Sequence, residues 1–221
     1  MAVTTPSASP LTALDVVRDA PVIPVIVLYD VRHAVPLARA LVAGGIRMLE
    51  ITLRTPQALE CMRAIAAEVP EAVVGAGTLR SAQDAEAVLR AGARFAVSPG
   101  FTPALARACR SAGLPLLPGV ATSSEILAAQ DEGLSALKFF PAMQAGGVAL
   151  LKAWQGPFAD VLFCPTGGVQ PGNARELLAL PNVACVGGSW LAPAPALEQG
   201  DWNAITALAR QASGLRPDDL K

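Results

Sequence analysis

Ala43-Gly44-Gly45-Ile46-Arg47-Met48-Leu49-Glu50-Ile51-Thr52-Leu53-Arg54-Thr55-Pro56 holds a complete junction between helix, strand and helix. The glycine pair reads as the C-cap of an Ala-rich helix. Thr55-Pro56 reads as the start of the next helix, with threonine as N-cap and proline at the first helical position. Between them, side chains alternate across a strand. Leu49, Ile51 and Leu53 share one face, and Met48, Glu50, Thr52 and Arg54 share the other. The apolar face suits packing under helices, so the polar face is expected to look inward.

The same junction recurs along the chain, with Ala91-Gly92 before Ala93, Ala112-Gly113 before Leu114 and Glu132-Gly133 before Leu134. Helix starts recur too, at Thr102-Pro103 and at Thr122 with Glu125 as a capping box. Short β-prone runs begin near Val22, Met48, Ala72, Phe95, Pro115, Ala136, Val161 and Val183, separated by Ala-rich helical segments. Eight βα units predict an α/β protein with a single-domain (β/α)8 TIM barrel over residues 15–213. Residues 1–14 read as a flexible N-terminal tail holding the start of a capping helix, and 214–221 as a C-terminal tail. An open doubly wound sheet is the rival architecture. A solenoid is excluded, because the units share little sequence and lack a leucine ladder or helix pairs.

Of 221 residues, 52% are hydrophobic and 16% charged, enough to bury a large core and exclude disorder. Seventeen Lys and Arg against eighteen Asp and Glu leave a net charge of -1, with no general pull toward nucleic acid or an anionic membrane. Any anion must therefore be bound locally. Cys61, Cys109, Cys164 and Cys185 form no CxxC pair and read as reduced thiols. His33 is the only histidine, so a multi-imidazole metal site is excluded and none is expected. A Ser-His-Asp triad would depend on that one residue. The opening MAVTTPSASP lacks the pattern of a secretion signal, and the apolar runs fall short of the roughly 20 residues that span a bilayer. A soluble, cytoplasmic protein is the expectation.

Lysine is rare here, at positions 138, 152 and 221 alone, and the first stands inside Leu134-Ser135-Ala136-Leu137-Lys138-Phe139-Phe140-Pro141. Alternation sends Leu137 and Phe139 toward the helices and Lys138 inward with Ala136 and Phe140. Desolvation favours the neutral amine, the form that attacks a carbonyl to make a Schiff base. Glu50, carried inward on its own strand, suits the proton transfers that such chemistry needs. A buried Lys138–Glu50 ion pair without chemistry is the alternative.

Arg54 offers a planar fork for the carboxylate of a 2-oxo acid, and Thr78, after Val73-Val74-Gly75-Ala76-Gly77, adds a hydroxyl donor. A rim salt bridge and a helix N-cap are their structural alternatives. Two glycine-rich strand ends follow, Cys164-Pro165-Thr166-Gly167-Gly168-Val169 and Val186-Gly187-Gly188-Ser189-Trp190. Barrels often bind phosphate at the loops after the seventh and eighth strands, where backbone N–H groups approach the anion. Tight turns are the alternative here.

At this point the sequence resembles the 2-keto-3-deoxy-6-phosphogluconate (KDPG) and 4-hydroxy-2-oxoglutarate (KHG) aldolases, a class I pyruvate-aldolase family. The resemblance covers about residues 15–213. It rests on Pro21-Val22-Ile23-Pro24-Val25-Ile26, Leu49-Glu50-Ile51-Thr52-Leu53-Arg54, Val74-Gly75-Ala76-Gly77-Thr78, Ser98-Pro99-Gly100, Leu137-Lys138-Phe139-Phe140-Pro141, Phe163-Cys164-Pro165-Thr166-Gly167-Gly168 and Gly187-Gly188-Ser189-Trp190.

The resemblance implies a homotrimer that cleaves KDPG to pyruvate and D-glyceraldehyde 3-phosphate without metal or organic cofactor. It also implies action on 4-hydroxy-2-oxoglutarate, giving pyruvate and glyoxylate. By motif, Lys138 is the Schiff-base lysine and Glu50 the proton shuttle. Arg54 and Thr78 contact the pyruvate carboxylate, and Pro99 and Phe140 wall the pocket. Thr166 meets a sugar hydroxyl, and Gly167, Gly168, Gly188 and Ser189 hold phosphate. Tyr29-Asp30 and Met143-Gln144 depart from the family's usual rim residues. Other readings are an aldolase for the galactonate-derived epimer, a phosphosugar isomerase or epimerase, and a noncatalytic phosphate-binding barrel.

Overall fold

The structure, a computed structural model, describes residues 10–215. Helix α1 (Ala13–Asp19) precedes strand β1 (Val22–Ile26) and helix α2 (Ala34–Ala43). Then come β2 (Met48–Thr52), α3 (Ala58–Glu68), β3 (Val73–Gly77), α4 (Ala82–Arg90), β4 (Phe95–Val97) and α5 (Pro103–Ser111). The two short strands β5 (Leu116–Leu117) and β6 (Gly119–Val120) follow, with α6 (Ser123–Asp131), β7 (Ala136–Phe139), α7 (Gly147–Trp154), β8 (Leu162–Pro165) and α8 (Pro171–Leu178). The chain ends in β9 (Val186–Gly188), α9 (Ala194–Gln199) and α10 (Trp202–Ser213). Outside residues 10–215 lie most of the predicted N-terminal tail and of the predicted C-terminal tail.

All strand pairs are parallel. A six-stranded sheet runs in the order β5-β4-β3-β2-β1-β9, and a three-stranded one runs β6-β7-β8. Pro118 alone separates β5 from β6, and proline cannot donate to a strand ladder. Along the other edge, isolated bridges join Phe163 to Val183 and Thr166 to Gly187. The eighth predicted strand therefore shrinks to β9 plus the bridge at Val183. The fold is α/β, built on parallel strands whose sheet curls, with the helices packed on its outer face.

The repeated glycine junction has one geometry. Gly45, Gly92, Gly113 and Gly133 all take positive φ, between 65° and 89°. In each, the next residue's N–H donates back to the carbonyl five positions earlier: Ile46 to Leu41, Ala93 to Val88, Leu114 to Cys109 and Leu134 to Ala129. This is the Schellman ending, which satisfies the last helical carbonyls and turns the chain into the next strand. Thr102 and Thr122 cap their helices as expected, the latter with Glu125 in a capping box.

Thr55-Pro56 behaves differently. Helix α3 starts at Ala58 after Gln57, and the Thr55 hydroxyl donates to the carbonyl of Leu28 at 2.6 Å instead. Threonine is spent on tying the end of β2 to the end of β1. Strand β2 stops at Thr52, so Arg54 stands in the following turn and not on the strand's inward face.

Alternation divides the core into two. Leu49, Ile51, Val74, Ala76, Leu137, Phe139 and Phe163 pack outward against the helices. Ile23, Met48, Val73, Phe95, Val97, Leu117, Ala136, Cys164 and Cys185 form a second apolar cluster on the concave face. Val16 and Val17 of α1 belong to that inner cluster, so α1 plugs the end at which the strands begin. Its capping box, Thr12 with Asp15, fixes where the helix starts. Among the described residues no helix is long and apolar enough to cross a membrane.

Candidate active site

Above the inner apolar cluster, toward the C-terminal strand ends, the concave face turns polar. Glu50 is in register with Val25 of β1 and Gly75 of β3, while Lys138 is in register with Gly119 of β6 and Cys164 of β8. The two residues come from strands that do not pair. Their side chains meet across the concave face, with Lys138 Nζ 3.5 Å from Glu50 Oε1. Both side chains are 4% exposed. A charge-assisted hydrogen bond is normally about 2.8 Å, so this pair is loosely held. A tight ion pair would occupy the nitrogen, whereas this spacing leaves it able to turn toward a third group.

Phe140, the next inward residue after Lys138, places its ring centroid 5.1 Å from Nζ. Apolar walls of this kind keep water from the amine. Pro99 is half-buried on the neighbouring side. Its carbonyl lies so near Gly119, the register partner of Lys138, that a Cβ on that glycine would fall 2.3 Å from the oxygen. Ser98 is buried and donates to the carbonyl of Gly100 at 2.7 Å, which holds this turn in place.

Arg54 and Thr78 meet at the ends of β2 and β3, where Arg54 Nε donates to Thr78 Oγ1 at 3.3 Å. The Leu53 N–H bonds to the Gly77 carbonyl at 2.9 Å and locks the two strand ends together. Arg54 is exposed and makes no ion pair among the described residues, so the rim salt bridge is not formed. Nor does Thr78 cap a helix, since Ser81 caps α4 in a box with Asp84. Thr78 is instead the sole non-glycine with positive φ among the described residues, at 66°. A β-branched residue there is strained by about 1–3 kcal/mol. Such strain clusters where a side chain must be aimed.

The two glycine loops lie side by side, because the Thr166–Gly187 bridge joins the strand ends from which they leave. Thr166 is buried, one inward step beyond the register partner of Lys138. Gly167 and Gly168 both have positive φ, at 97° and 73°. Asn173 Nδ2 donates to the Gly168 carbonyl at 3.1 Å while Asn173 Oδ1 accepts from the Gln170 N–H, which pins the loop to the start of α8. Sequence reasoning passed over Asn173, although its place in Gln170-Pro171-Gly172-Asn173 just after the glycines was a signal for such an anchor. Ser189 is exposed and also lines a cavity of about 270 Å3 with Val25, Val27 and Leu197.

Elsewhere the chemistry thins out. His33 sits edge-on to Trp202 with ring centroids 5.9 Å apart, a packing role. Asp30 is bound to Arg32, which pulls its carboxyl down to about 2. Among the described residues no group of three or more His, Cys, Asp or Glu side chains gathers as for a metal ion. A larger cleft of about 340 Å3, lined by Leu14, Arg110 and Ser135, opens at the opposite end of the strands, beside α1.

A buried amine, an adjoining buried carboxylate and glycine loops at the C-terminal ends of a curled parallel sheet define an enzyme site suited to carbonyl chemistry. The family model for KDPG and KHG aldolase matches residues 14–208. The KHG/KDPG aldolase of Escherichia coli (strain K12) is 54% identical over 201 residues, covering 91% of this chain and 94% of its own. Among solved structures, KDPG aldolase from Legionella pneumophila, with pyruvate captured as a covalent carbinolamine, has a TM-score of 0.90 and 46% identity, covering 92% of this chain and 99% of its own. The Zymomonas mobilis ZM4 KDPG aldolase with 3-phosphoglycerate has a TM-score of 0.88 and 46% identity, covering 93% of this chain and 97% of its own. The chain belongs to the KDPG and KHG aldolase family, a family of lyases.

Proposed function

We propose that this protein is a class I aldolase that cleaves KDPG to pyruvate and D-glyceraldehyde 3-phosphate through an imine on Lys138. The observation that carries the reading is the buried Lys138–Glu50 pair, with Nζ and Oε1 3.5 Å apart on strands that do not pair. Lys138 Nζ adds to the C2 ketone, and loss of water leaves a protonated imine. As the C4 hydroxyl gives up its proton, the C3–C4 bond breaks and its electrons flow into the imine, giving an enamine and the aldehyde. Protonation at C3 and hydrolysis then release pyruvate and the free amine. Glu50 moves these protons, directly or through water.

Arg54 and Thr78 bind the pyruvate carboxylate, Pro99 and Phe140 wall the pocket, and Thr166 meets a substrate hydroxyl. Gly167, Gly168, Gly188 and Ser189 bind the phosphate. The adjacency of the two loops and the positive φ of Gly167 and Gly168 support that assignment. Asp30, held by Arg32, and the exposed Tyr29 lie at the rim, where they bear on the choice of aldehyde.

The catalytic unit in this reading is a closed (β/α)8 barrel over residues 15–213. The single-residue gap at Pro118, the bridges at Phe163 and Thr166, and the inner apolar cluster all support closure. Homotrimeric assembly and a cytoplasmic location go with the family resemblance. The buried cysteines fit reduced thiols, with burial pushing Cys61 and Cys109 up to about 11.

The test is a steady-state comparison of KDPG, its galactonate-derived epimer and 4-hydroxy-2-oxoglutarate, following pyruvate release by the parent and by Lys138→Ala. The expected result is KDPG as the best substrate and no turnover of any by the variant. Pyruvate release that survives Lys138→Ala would contradict the reading.

A further inference from the structure

Gly75 and Gly77 leave the concave face of β3 without side chains beside Glu50. The two spaces are filled differently. A Cβ at Gly75 would fall 2.1 Å from the ring of Phe95, so that ring occupies the position level with Glu50. The Glu50 side chain is thereby turned along the strand toward the mouth, over Gly77. A Cβ at Gly77 would fall 2.2 Å from Glu50 Oε1, 2.7 Å from its Cγ and 2.9 Å from its Cδ.

The contacted oxygen is the one that lies 3.5 Å from Lys138 Nζ. Backbone conformation does not require the glycine, because Gly77 is not among the residues with positive φ. The three atoms nearest that space all belong to the Glu50 side chain.

We infer that Gly77 is a positioning residue for proton transfer: its bare Cα is the seat that holds the Glu50 carboxylate against Lys138. The inference rests on the aldolase reading for its catalytic meaning, while the seat itself is a statement about packing. A methyl group at 77 meets the far end of a flexible side chain, so the fold gives way by moving the carboxylate and not the strand. Misplacement of a catalytic group by about 1 Å is enough to lower turnover on the order of 10²-fold.

Two experiments on the full chain test the seat. In the first, thermal midpoints are compared for the parent, Gly77→Ala, Glu50→Ala and the double variant. Gly77→Ala is expected to lower the midpoint of the parent. In the Glu50→Ala background it should leave the midpoint unchanged or raise it, because the space is empty and alanine loses less entropy on folding than glycine. A fall in both backgrounds would overturn the inference, as would failure of the double variant to fold where Glu50→Ala folds. This result is independent of activity, so it stands apart from any failure of pyruvate trapping in the parent.

In the second, turnover and its pH profile are compared for Gly77→Ala, Glu50→Ala and Glu50→Ala/Gly77→Ala. Gly77→Ala should reduce kcat far more than it raises KM and should move the pH profile of kcat. With the carboxylate gone there is nothing left at position 50 to misplace, so the double variant should turn over as Glu50→Ala does. Losses that multiply, or an unmoved pH profile in Gly77→Ala, would show that Gly77 does not act through Glu50.

Discussion

Lys138 and Glu50 are 88 residues apart in sequence and meet at 3.5 Å, each projected from a strand that does not pair with the other's. The contact therefore reports on the curvature of the sheet, since a flat arrangement would hold the two strands far apart. It also explains how a polar pair survives directly above an apolar inner cluster. Each group partly offsets the other's loss of water, while their 3.5 Å separation lets the amine turn toward a third group.

Glu50→Gln keeps the shape of the side chain and removes its ability to exchange a proton. Turnover is expected to fall by on the order of 10²- to 10⁴-fold, with the fold intact by circular dichroism. An unchanged kcat would remove Glu50 from proton transfer.

Thr78 combines a strained backbone with a hydroxyl contact to Arg54. Thr78→Gly should therefore separate stability from binding. The thermal midpoint should be no lower than that of the parent, because relief of about 1 kcal/mol or more of strain offsets the added freedom of glycine. KM should rise as Arg54 loses its partner. A lower midpoint with an unchanged KM would contradict both parts.

Much of this architecture was legible because punctuation and alternation agree. The Gly junctions at 45, 92, 113 and 133 all take the ending expected of them, and Lys138 faces inward with Ala136 as alternation requires. Failures came where one residue type serves two purposes. Thr55-Pro56 resembles a helix start, yet its hydroxyl is committed to Leu28, a partner remote in sequence. The division of one expected strand at Pro118 and the shortening of the last were likewise hidden, since both depend on pairing with distant strands. Gly77 was visible only as part of a motif. Its meaning needs the position of Glu50 on the neighbouring strand β2.

Gly168 takes positive φ, and a Cβ there would fall 2.9 Å from Met143 Cβ. Gly168→Ala should disturb the glycine loop and raise KM for a phosphorylated substrate about tenfold or more, a loss of roughly 1.4 kcal/mol in binding. KM for 4-hydroxy-2-oxoglutarate, which has no phosphate, should change little. Equal effects on both substrates would argue against phosphate binding at this loop.

Glu132 accepts from Arg107 at 2.9 Å and also from Arg110, tying the end of α6 to α5. These partners, Arg107 first, hold its carboxyl below the usual carboxylate range. A lowered folded-state pKa contributes stability above the unfolded-state value, and that contribution is lost as pH falls through the folded one. Glu132→Gln should therefore lower the thermal midpoint at neutral pH, with the difference from the parent shrinking as the medium becomes acidic. A difference that grows toward low pH would contradict this.

Val17 is fully buried in the inner cluster, where α1 closes the end of the sheet remote from Lys138. Val17→Ala should cost roughly 2 kcal/mol in denaturant unfolding, from lost burial and the cavity left behind. An unchanged unfolding midpoint would show that α1 does not plug the core.

The most direct test of the account is borohydride reduction of the parent protein in the presence of pyruvate, followed by peptide mass analysis. The account predicts a reduced pyruvyl group on Lys138 and on no other lysine, dependent on pyruvate and absent from Lys138→Ala. Recovery of unmodified Lys138 from a preparation that actively releases pyruvate from KDPG would contradict it.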